Sequence, residues 1–473
     1  MHEGLQVSIV WIRKDFRLSD NLALHHAAKA GIVLPVFIYN DTASLKMGSV
    51  SQWWLHHSLK DLHSSLENKL QVYTGNPEEK LFELATKHNI KHVYFNSSYE
   101  PEQLAQDKFI QKSLQNAGIV CEIFHSQLLW DPAKIVTGYG TPYKVYTPFY
   151  QNGCLHADAP RFPIAKPEKL VCYNNTQNSI SIDALGLLEN NTWNEKLSTI
   201  WTVGEKAAQD RLKSFIAHGL EGYKENRNIP SLDGTSRLSA YLHFGQISVN
   251  QVWYAVHKAS AKNIPVQDSS CYLSEIGWRE FCYNLLFNFP ELPHKNFNAK
   301  FDAFPWVYNE EFFTAWKQGN TGIPIVDAGM RELAQTGYMH NRVRMIVASF
   351  LIKNLGIDWR LGKDWFWECL VDADLANNSA NWQWVAGSGA DAAPFFRIFN
   401  PVLQGEKFDP HGLYTRKYVP ELALMPDKYL YKPWMAPANI LKQACVSLGK
   451  NYPAPIVELD VSRNKALAAY KSL

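Results

Sequence analysis

Between residues 7 and 124 five short apolar runs, VSIVWI (7–12), LPVFIY (34–39), LQVYT (70–74), HVYF (92–95) and IVCEIF (119–124), alternate with amphipathic stretches mostly 12 to 20 residues long. Runs without polar alternation read as strands buried on both faces. Helix-length segments between them are what parallel crossovers require. The first 128 residues are therefore expected to form an α/β domain with a parallel, Rossmann-like sheet. No GxGxxG follows the first run, so the usual dinucleotide fingerprint is missing. A purely structural domain is the competing reading.

From Leu129 to about residue 200 this alternation breaks down. Pro132, Pro142, Pro148, Pro160, Pro163 and Pro167 punctuate the segment, and the polar run YNNTQNS (173–179) follows. Residues 129–200 read as a long interdomain linker. Beyond Trp201 the periodicity becomes helical, in VGEKAAQDRLKSFIAHGL (203–220) and in the 340–356 and 359–370 stretches. Residues 201–473 are expected to be an all-α carboxy-terminal domain. A chain of 473 residues with 46% hydrophobic and 19% charged content has the material for such cores.

Other bulk properties mostly exclude. No apolar stretch approaches membrane-spanning length, and the start runs into a strand without the basic and apolar regions of a signal peptide. A cytoplasmic protein with no membrane association is the expectation. The seven cysteines, at 121, 154, 172, 271, 282, 369 and 445, form no CxxC pair, which argues against a zinc or iron–sulfur site. Net charge is only +2, and residues 1–128 hold 12 Lys/Arg against 13 Asp/Glu. Six Lys/Arg against two Asp/Glu between Arg331 and Lys363 form a patch able to bind phosphates. A merely solvated face is the alternative there.

Four segments concentrate chemistry. DADLANNSANWQWVAGSGADAAPFFRIFNP (372–401) has no clear periodicity and reads as a long loop, opening with Asp372 and Asp374 and carrying paired asparagines and Trp382 and Trp384. In the helix after His340, the residues Val343, Ile346, Val347, Phe350 and Leu351 form a core stripe, leaving Asn341, Arg344 and Met345 on the opposite face. Glu275, Trp278, Arg279 and Cys282 share another helical face, where Glu275 and Arg279 have the spacing of an ion pair. GTSRLS (234–239) offers hydroxyls, an arginine and backbone N–H groups of the kind that hold a phosphate, although such clusters often only cap helices.

WIRKDFRLSDNLAL (11–24), GTSRLSAYLHFGQIS (234–248), SEIGWREF (274–281) and GYMHNRVRM (337–345), in this order and together with the 372–401 run, closely resemble the DNA photolyase/cryptochrome family. Within it they resemble the bacterial class I cyclobutane pyrimidine dimer photolyases. The resemblance implies one FAD per chain, active in its fully reduced form FADH⁻, in a helical FAD- and DNA-binding catalytic domain. It implies flavin contacts from Tyr223, Thr235, Ser236, Arg237, Leu238, Ser239, Arg279, Arg344, Asp372, Ala373, Asp374 and Asn378. Arg344 matches the arginine that pairs with Asp372, and Asn378 matches the residue beside flavin N5.

The same resemblance implies that damaged DNA is the partner and that the protein is a monomer. Lesion and backbone contacts would come from Arg227, Glu275, Trp278, Asn341, Arg342, Met345, Trp384, Arg397 and Gln404. Glu275, Asn341 and Asn378 match residues that act during repair, Glu275 by hydrogen-bonding the thymine carbonyls. Trp278 and Trp384 match the flat surfaces on either side of an extruded dimer, where base stacking is typically worth roughly 1–3 kcal/mol per base. Trp382, Trp359 and Trp306, among 16 tryptophans, match the relay that carries electrons to the flavin. The implied reaction is light-driven electron donation from reduced FAD to a cyclobutane pyrimidine dimer, which then splits.

The antenna site departs from the family pattern. Folate-binding relatives carry Asn-Glu where this chain has Glu102 and Gln103, and His294, beside Lys295, replaces a lysine of the helical domain. Methenyltetrahydrofolate is thus one candidate antenna whose usual contacts are replaced, against a different antenna or none. Three rival functions stand beside repair of this lesion. A cryptochrome-type photoreceptor is disfavoured by the repair identities at Glu275, Trp278 and Met345 and by the lack of a long polar tail after Leu473. A (6-4) photoproduct photolyase is disfavoured by methionine at 345, where those proteins carry histidine. The third is a flavoprotein that binds DNA without repairing it.

Overall fold

The computed structural model describes residues 6–40, 45–173, 178–189 and 191–473; most of the polar run at 173–179 lies outside them. The expected apolar runs form strands β1 (Gln6–Ile12), β2 (Gly31–Tyr39), β3 (Gln71–Thr74), β4 (His92–Asn96) and β5 (Val120–Phe124). Between them run helices α1 (Leu22–Ala30), α2 (Ser49–Ser65), α3 (Pro77–Lys87) and α4 (Pro101–Asn116). All pairings are parallel and the order is β3-β2-β1-β4-β5, that of a doubly wound dinucleotide-binding sheet. Continuous burial along β2 explains its unbroken apolar run, since helices cover both faces of such a sheet. Ile9, Trp11, Leu34, Val36, Val93 and Phe95 centre the core, and Leu81, Leu84, Ile110 and Leu114 of α3 and α4 close it.

The segment expected to be a linker is only partly irregular. It contains a π-helical turn at Phe149–Cys154 and a two-residue strand β6 (Val171–Cys172) that adds to β2. The rest of the chain is helical, as expected, and fold class and element order agree with the α/β-plus-α reading.

The chain divides into two compact units, residues 1–221 with 236–290, and residues 222–235 with 291–473. The first unit thus takes helices beyond the sheet. Trp54 of α2 donates its indole N–H to Gln246 (3.0 Å), and Phe16 packs near Phe244. In the second unit, helices Pro324–Thr336, Asn341–Ser349, Trp359–Cys369 and Leu375–Ala386 pack on one another. A satellite core of Phe301, Phe304, Phe395 and Ala466 joins the segments before and after them.

Candidate functional site

In the second unit the 372–401 run is not a loop throughout: Leu375–Ala386 is a helix. Asp374 is its N-cap and accepts from the backbone N–H (2.9 Å) and the side-chain amide (2.7 Å) of Asn377. The periodicity failed because the buried face, Ala376, Ser379, Trp382, Gln383 and Ala386, includes two polar residues, so burial does not show as an apolar stripe. Gln383, a residue sequence reasoning passed over, accepts from Phe297 N–H (2.8 Å) and donates to the carbonyls of Leu292 (2.7 Å) and Lys295 (2.8 Å). Its only sequence signal was a polar residue between two tryptophans.

The face read for Asn341, Arg344 and Met345 exists: Val343, Ile346 and Val347 are buried and these three are not. His340 caps this helix through Nδ1, accepting from Arg342 N–H at 3.2 Å. Arg344 donates through Nη2 to both carboxylate oxygens of Asp372 (3.0 and 3.1 Å) and through Nε to Met339 O (2.7 Å). Burial opposes its charge most strongly, but Asp372, Tyr338 and Glu332 together outweigh burial and raise the guanidinium pKa above its ordinary value. Asn378 donates its amide N–H to Lys363 O (3.0 Å), which fixes the side chain and turns its oxygen the other way. Ala373 and Asp374 are buried.

Of the three relay candidates, Trp382 and Trp359 are buried and Trp306 is half-buried. Trp382 meets Phe366 edge-on at 5.0 Å and lies against Gly362, where a Cβ would stand 2.5 Å from its Cζ3. Trp359 donates Nε1–H to Asn296 Oδ1 (2.9 Å), and Trp306 packs on Phe304 at 4.3 Å. Among the phosphate-contact candidates, Arg342 donates to Asn228 Oδ1 (2.5 Å) and lies over Phe408, while Arg227 lies over Tyr223. Arg397 is held by its backbone, whose carbonyl accepts from buried Lys353 (3.0 Å). Burial, assisted by the charge of Arg397, lowers the Lys353 pKa to about 7. Trp384 and Gln404 are half-buried, and Thr235 falls in this unit.

The first unit holds the other candidates. Glu275, Trp278 and Arg279 lie on the helix Val266–Asn288, all three partly exposed. A surface ion pair is the plain structural reading of the Glu275–Arg279 spacing; Arg279 donates to Glu280 (3.0 Å) and to Gln127 O (3.2 Å). A buried neighbour competes better than a partner one turn away on a wet face. Glu280 also accepts from Leu129 N–H (2.9 Å) and Trp130 N–H (3.3 Å), yet burial outweighs these donors and raises its pKa to about 7. Ser236, Arg237, Leu238 and Ser239 lead into a short helix at Ser239–His243. Arg237 has φ +50°, a left-handed conformation that non-glycine residues adopt rarely and often at functional sites. Ser236 O accepts from Arg211 Nε–H (2.8 Å).

The crevice beyond the carboxyl ends of β1 and β4, where nucleotides bind in doubly wound sheets, is an open pocket lined by Arg13, Lys14, Asn96, Ser98, Gln103 and Gln127. Arg13 makes two hydrogen bonds to Asp107 (2.6 and 3.0 Å) and one to Asn96 O (2.5 Å), and Lys14 pairs with Glu100. Gln103, at the replaced folate position, donates to the same Glu100 (3.1 Å), and His294 is exposed. Among the described residues, no group of three or more His, Cys, Asp or Glu is arranged to hold a metal. No described helix is long and apolar enough to cross a membrane.

Each unit, taken by itself, offers groups that suit part of FAD. In the first unit, residues 236–239 offer hydroxyls and backbone N–H groups of the kind that hold a pyrophosphate; in the second, an anchored amide (Asn378) and a guanidinium–carboxylate pair (Arg344–Asp372) are of the kind that hold a polar ring edge. Comparison with known proteins agrees. A family model described as DNA photolyase matches residues 8–168, and one described as the FAD binding domain of DNA photolyase matches residues 272–472. A deoxyribodipyrimidine photo-lyase of Agrobacterium fabrum is 50% identical over 470 residues, 98% of each chain. Cryptochrome-1 of Arabidopsis thaliana is 34% identical, covering 96% of this chain and 69% of that one. The crystal structure of a bacterial class III photolyase from Agrobacterium tumefaciens superposes with a TM-score of 0.96 at 49% identity, over 100% of this chain and 98% of that one.

Proposed function

The chain belongs to the DNA photolyase family, and from that premise we propose that it is a light-driven repair enzyme that splits cyclobutane pyrimidine dimers in DNA. It is an FAD-dependent photo-lyase acting on damaged DNA. Reduced FAD, when bound, supplies the electron that light sends to the lesion and receives it back after the C5–C5 and C6–C6 bonds of the cyclobutane ring break. There is no net redox change, so the protein's part is positioning and electrostatic support.

The observation that carries the reading is flat, half-buried Trp278 with Glu275 one turn earlier on the same helix. Such a pair offers a stacking surface and, beside it, a carboxyl able to hydrogen-bond a carbonyl on which charge builds. The 50% identity to a deoxyribodipyrimidine photo-lyase supports it. The motifs resemble class I enzymes, and a solved class III enzyme shares 49% identity; the repair reading draws on both. In this proposal Tyr223, residues 235–239, Arg279, Arg344, residues 372–374 and Asn378 hold FAD. Trp278, Trp384, Asn341 and Met345 contact the lesion, and Arg227, Arg342, Arg397 and Gln404 contact the DNA around it. Trp306, Trp359 and Trp382 form the electron relay. Residues 1–128 act as the antenna-type domain, 129–200 as the linker and 201–473 as the catalytic part of a cytoplasmic monomer.

Illuminating the FAD-loaded, reduced protein with an oligonucleotide carrying one cis-syn thymine dimer is expected to restore the undamaged strand. Glu275→Ala is expected to lower repair per photon while FAD stays bound. A flavin-loaded, photoreducible protein that leaves this lesion intact would refute the proposal. It would favour the photoreceptor reading, for which 34% identity to cryptochrome-1 is the supporting observation. Restoration of a (6-4) photoproduct instead would favour the other rival.

A further inference from the structure

The tryptophan proposed to meet the lesion is the outer member of a three-ring stack. Tyr150 and Tyr146 lie parallel with centroids 5.7 Å apart and an interplanar angle of 9°. Tyr146 and Trp278 follow at 3.8 Å and 10°. Tyr146 is buried, and its hydroxyl donates to Ser274 O (2.6 Å), on the helix turn that precedes Trp278. Burial raises the pKa of this hydroxyl, so it stays protonated and remains a donor. Gly277 makes the approach feasible: a Cβ there would stand 2.5 Å from Cδ2 of Tyr150 and 2.8 Å from the Tyr146 hydroxyl oxygen. Phe281 meets Trp278 edge-on at 5.8 Å and 76°. The chemistry assigned above gives Tyr146 no part.

We propose that Tyr146 is a positioning residue for lesion recognition: it covers one face of Trp278, fixes the plane of the indole and leaves the opposite face as a ready platform for the extruded pyrimidine pair. This rests on the reading of Trp278 as the dimer-facing surface. An unbacked tryptophan on a half-exposed helix face would lose rotamer freedom on stacking with a base, and that loss would weaken binding. Held between Tyr146 and Phe281, the indole loses that freedom on folding instead. Undamaged DNA, bound through its phosphates with no base extruded, does not use the platform and does not feel the difference.

The test compares binding of the FAD-loaded protein to one oligonucleotide with and without a single cis-syn thymine dimer, in Tyr146→Phe, Tyr146→Leu, Gly277→Ala and Trp278→Ala. Aromatic pairs of this kind change affinity by about three- to tenfold. Tyr146→Leu is expected to weaken dimer binding by about that factor with undamaged binding unchanged. Tyr146→Phe, which keeps the ring, is expected to retain selectivity. Gly277→Ala, which drives both tyrosine rings from their places, should repeat the loss and serves if Tyr146→Leu does not fold. The flavin absorbance spectrum reports folding in each case. Full selectivity in Tyr146→Leu and Gly277→Ala, with selectivity lost in Trp278→Ala, overturns the role of Tyr146 and leaves Trp278 as the platform. Full selectivity in Trp278→Ala overturns the platform and the proposal with it.

Discussion

Gly362→Ala tests the placement of Trp382 with a single methyl group. The added Cβ would stand 2.5 Å from Cζ3 of Trp382 and 2.6 Å from Cδ2 of Leu351. Carbon atoms prefer about 3.5–4.0 Å, so the indole or the helix carrying Gly362 must yield by about 1 Å. Trp382, Leu351 and Phe366 are all buried, which leaves little room for that movement. Overpacking a core costs about 1–3 kcal/mol, and alanine in place of glycine inside a helix returns about 1 kcal/mol. A close-packed surround favours the upper half of the range, giving a net loss of about 1–2 kcal/mol. For a unit of roughly 200 residues this lowers Tm by about 2–8 °C. The assay is thermal unfolding by circular dichroism, with tryptophan emission as a second probe. In the Trp382→Phe background the smaller ring makes room, so the methyl should cost less there, and a double-mutant cycle measures the coupling. A Tm that rises on Gly362→Ala, or a penalty unchanged in the Trp382→Phe background, would refute close packing of the indole on Gly362.

Trp382→Phe should slow light-driven bleaching of the oxidised-flavin absorbance, because phenylalanine is much harder to oxidise, while repair after chemical reduction stays near normal. Equal photoreduction in variant and parent would remove Trp382 from the relay. Asp372→Asn removes the charged acceptor of two hydrogen bonds from Arg344, an expected loss of about 1.5–3 kcal/mol with reduced FAD retention. Unchanged Tm and flavin content would count against it. Glu280 titrates at about 7 in the folded protein against an ordinary 4.5. The folded state therefore keeps a proton the unfolded chain has lost, and this group's contribution makes stability fall as pH rises from 4.5 to about 7 and level off above. The slope from one such group is at most about 1.4 kcal/mol per pH unit. Melting curves across that range should show a shallower decline in Glu280→Gln; identical slopes would mean that this carboxyl does not titrate there.

The sequence alone determined the sheet, because a parallel strand buried on both faces reads as a near-continuous apolar run, and the central runs at 7–12 and 34–39 do. It determined the family, because several long motifs recurred in order, and it grouped Asn341, Arg344 and Met345 on one helix face, because the stripe opposite them repeats with the helix period. Where polar residues occupy the buried face, the pattern vanished. The helix Leu375–Ala386 was invisible as a helix because polar Ser379 and Gln383 sit on its buried face, as buried as Val385. Partner choice also lay beyond reach. Spacing offered Arg279 to Glu275, but burial and the backbone of Gln127 gave it to Glu280. The placing of residues 236–290 in the first compact unit, and the seating of Trp278 on Tyr146, join residues more than a hundred positions apart. Local periodicity records which face of an element is covered. What covers it is decided only when the chain packs.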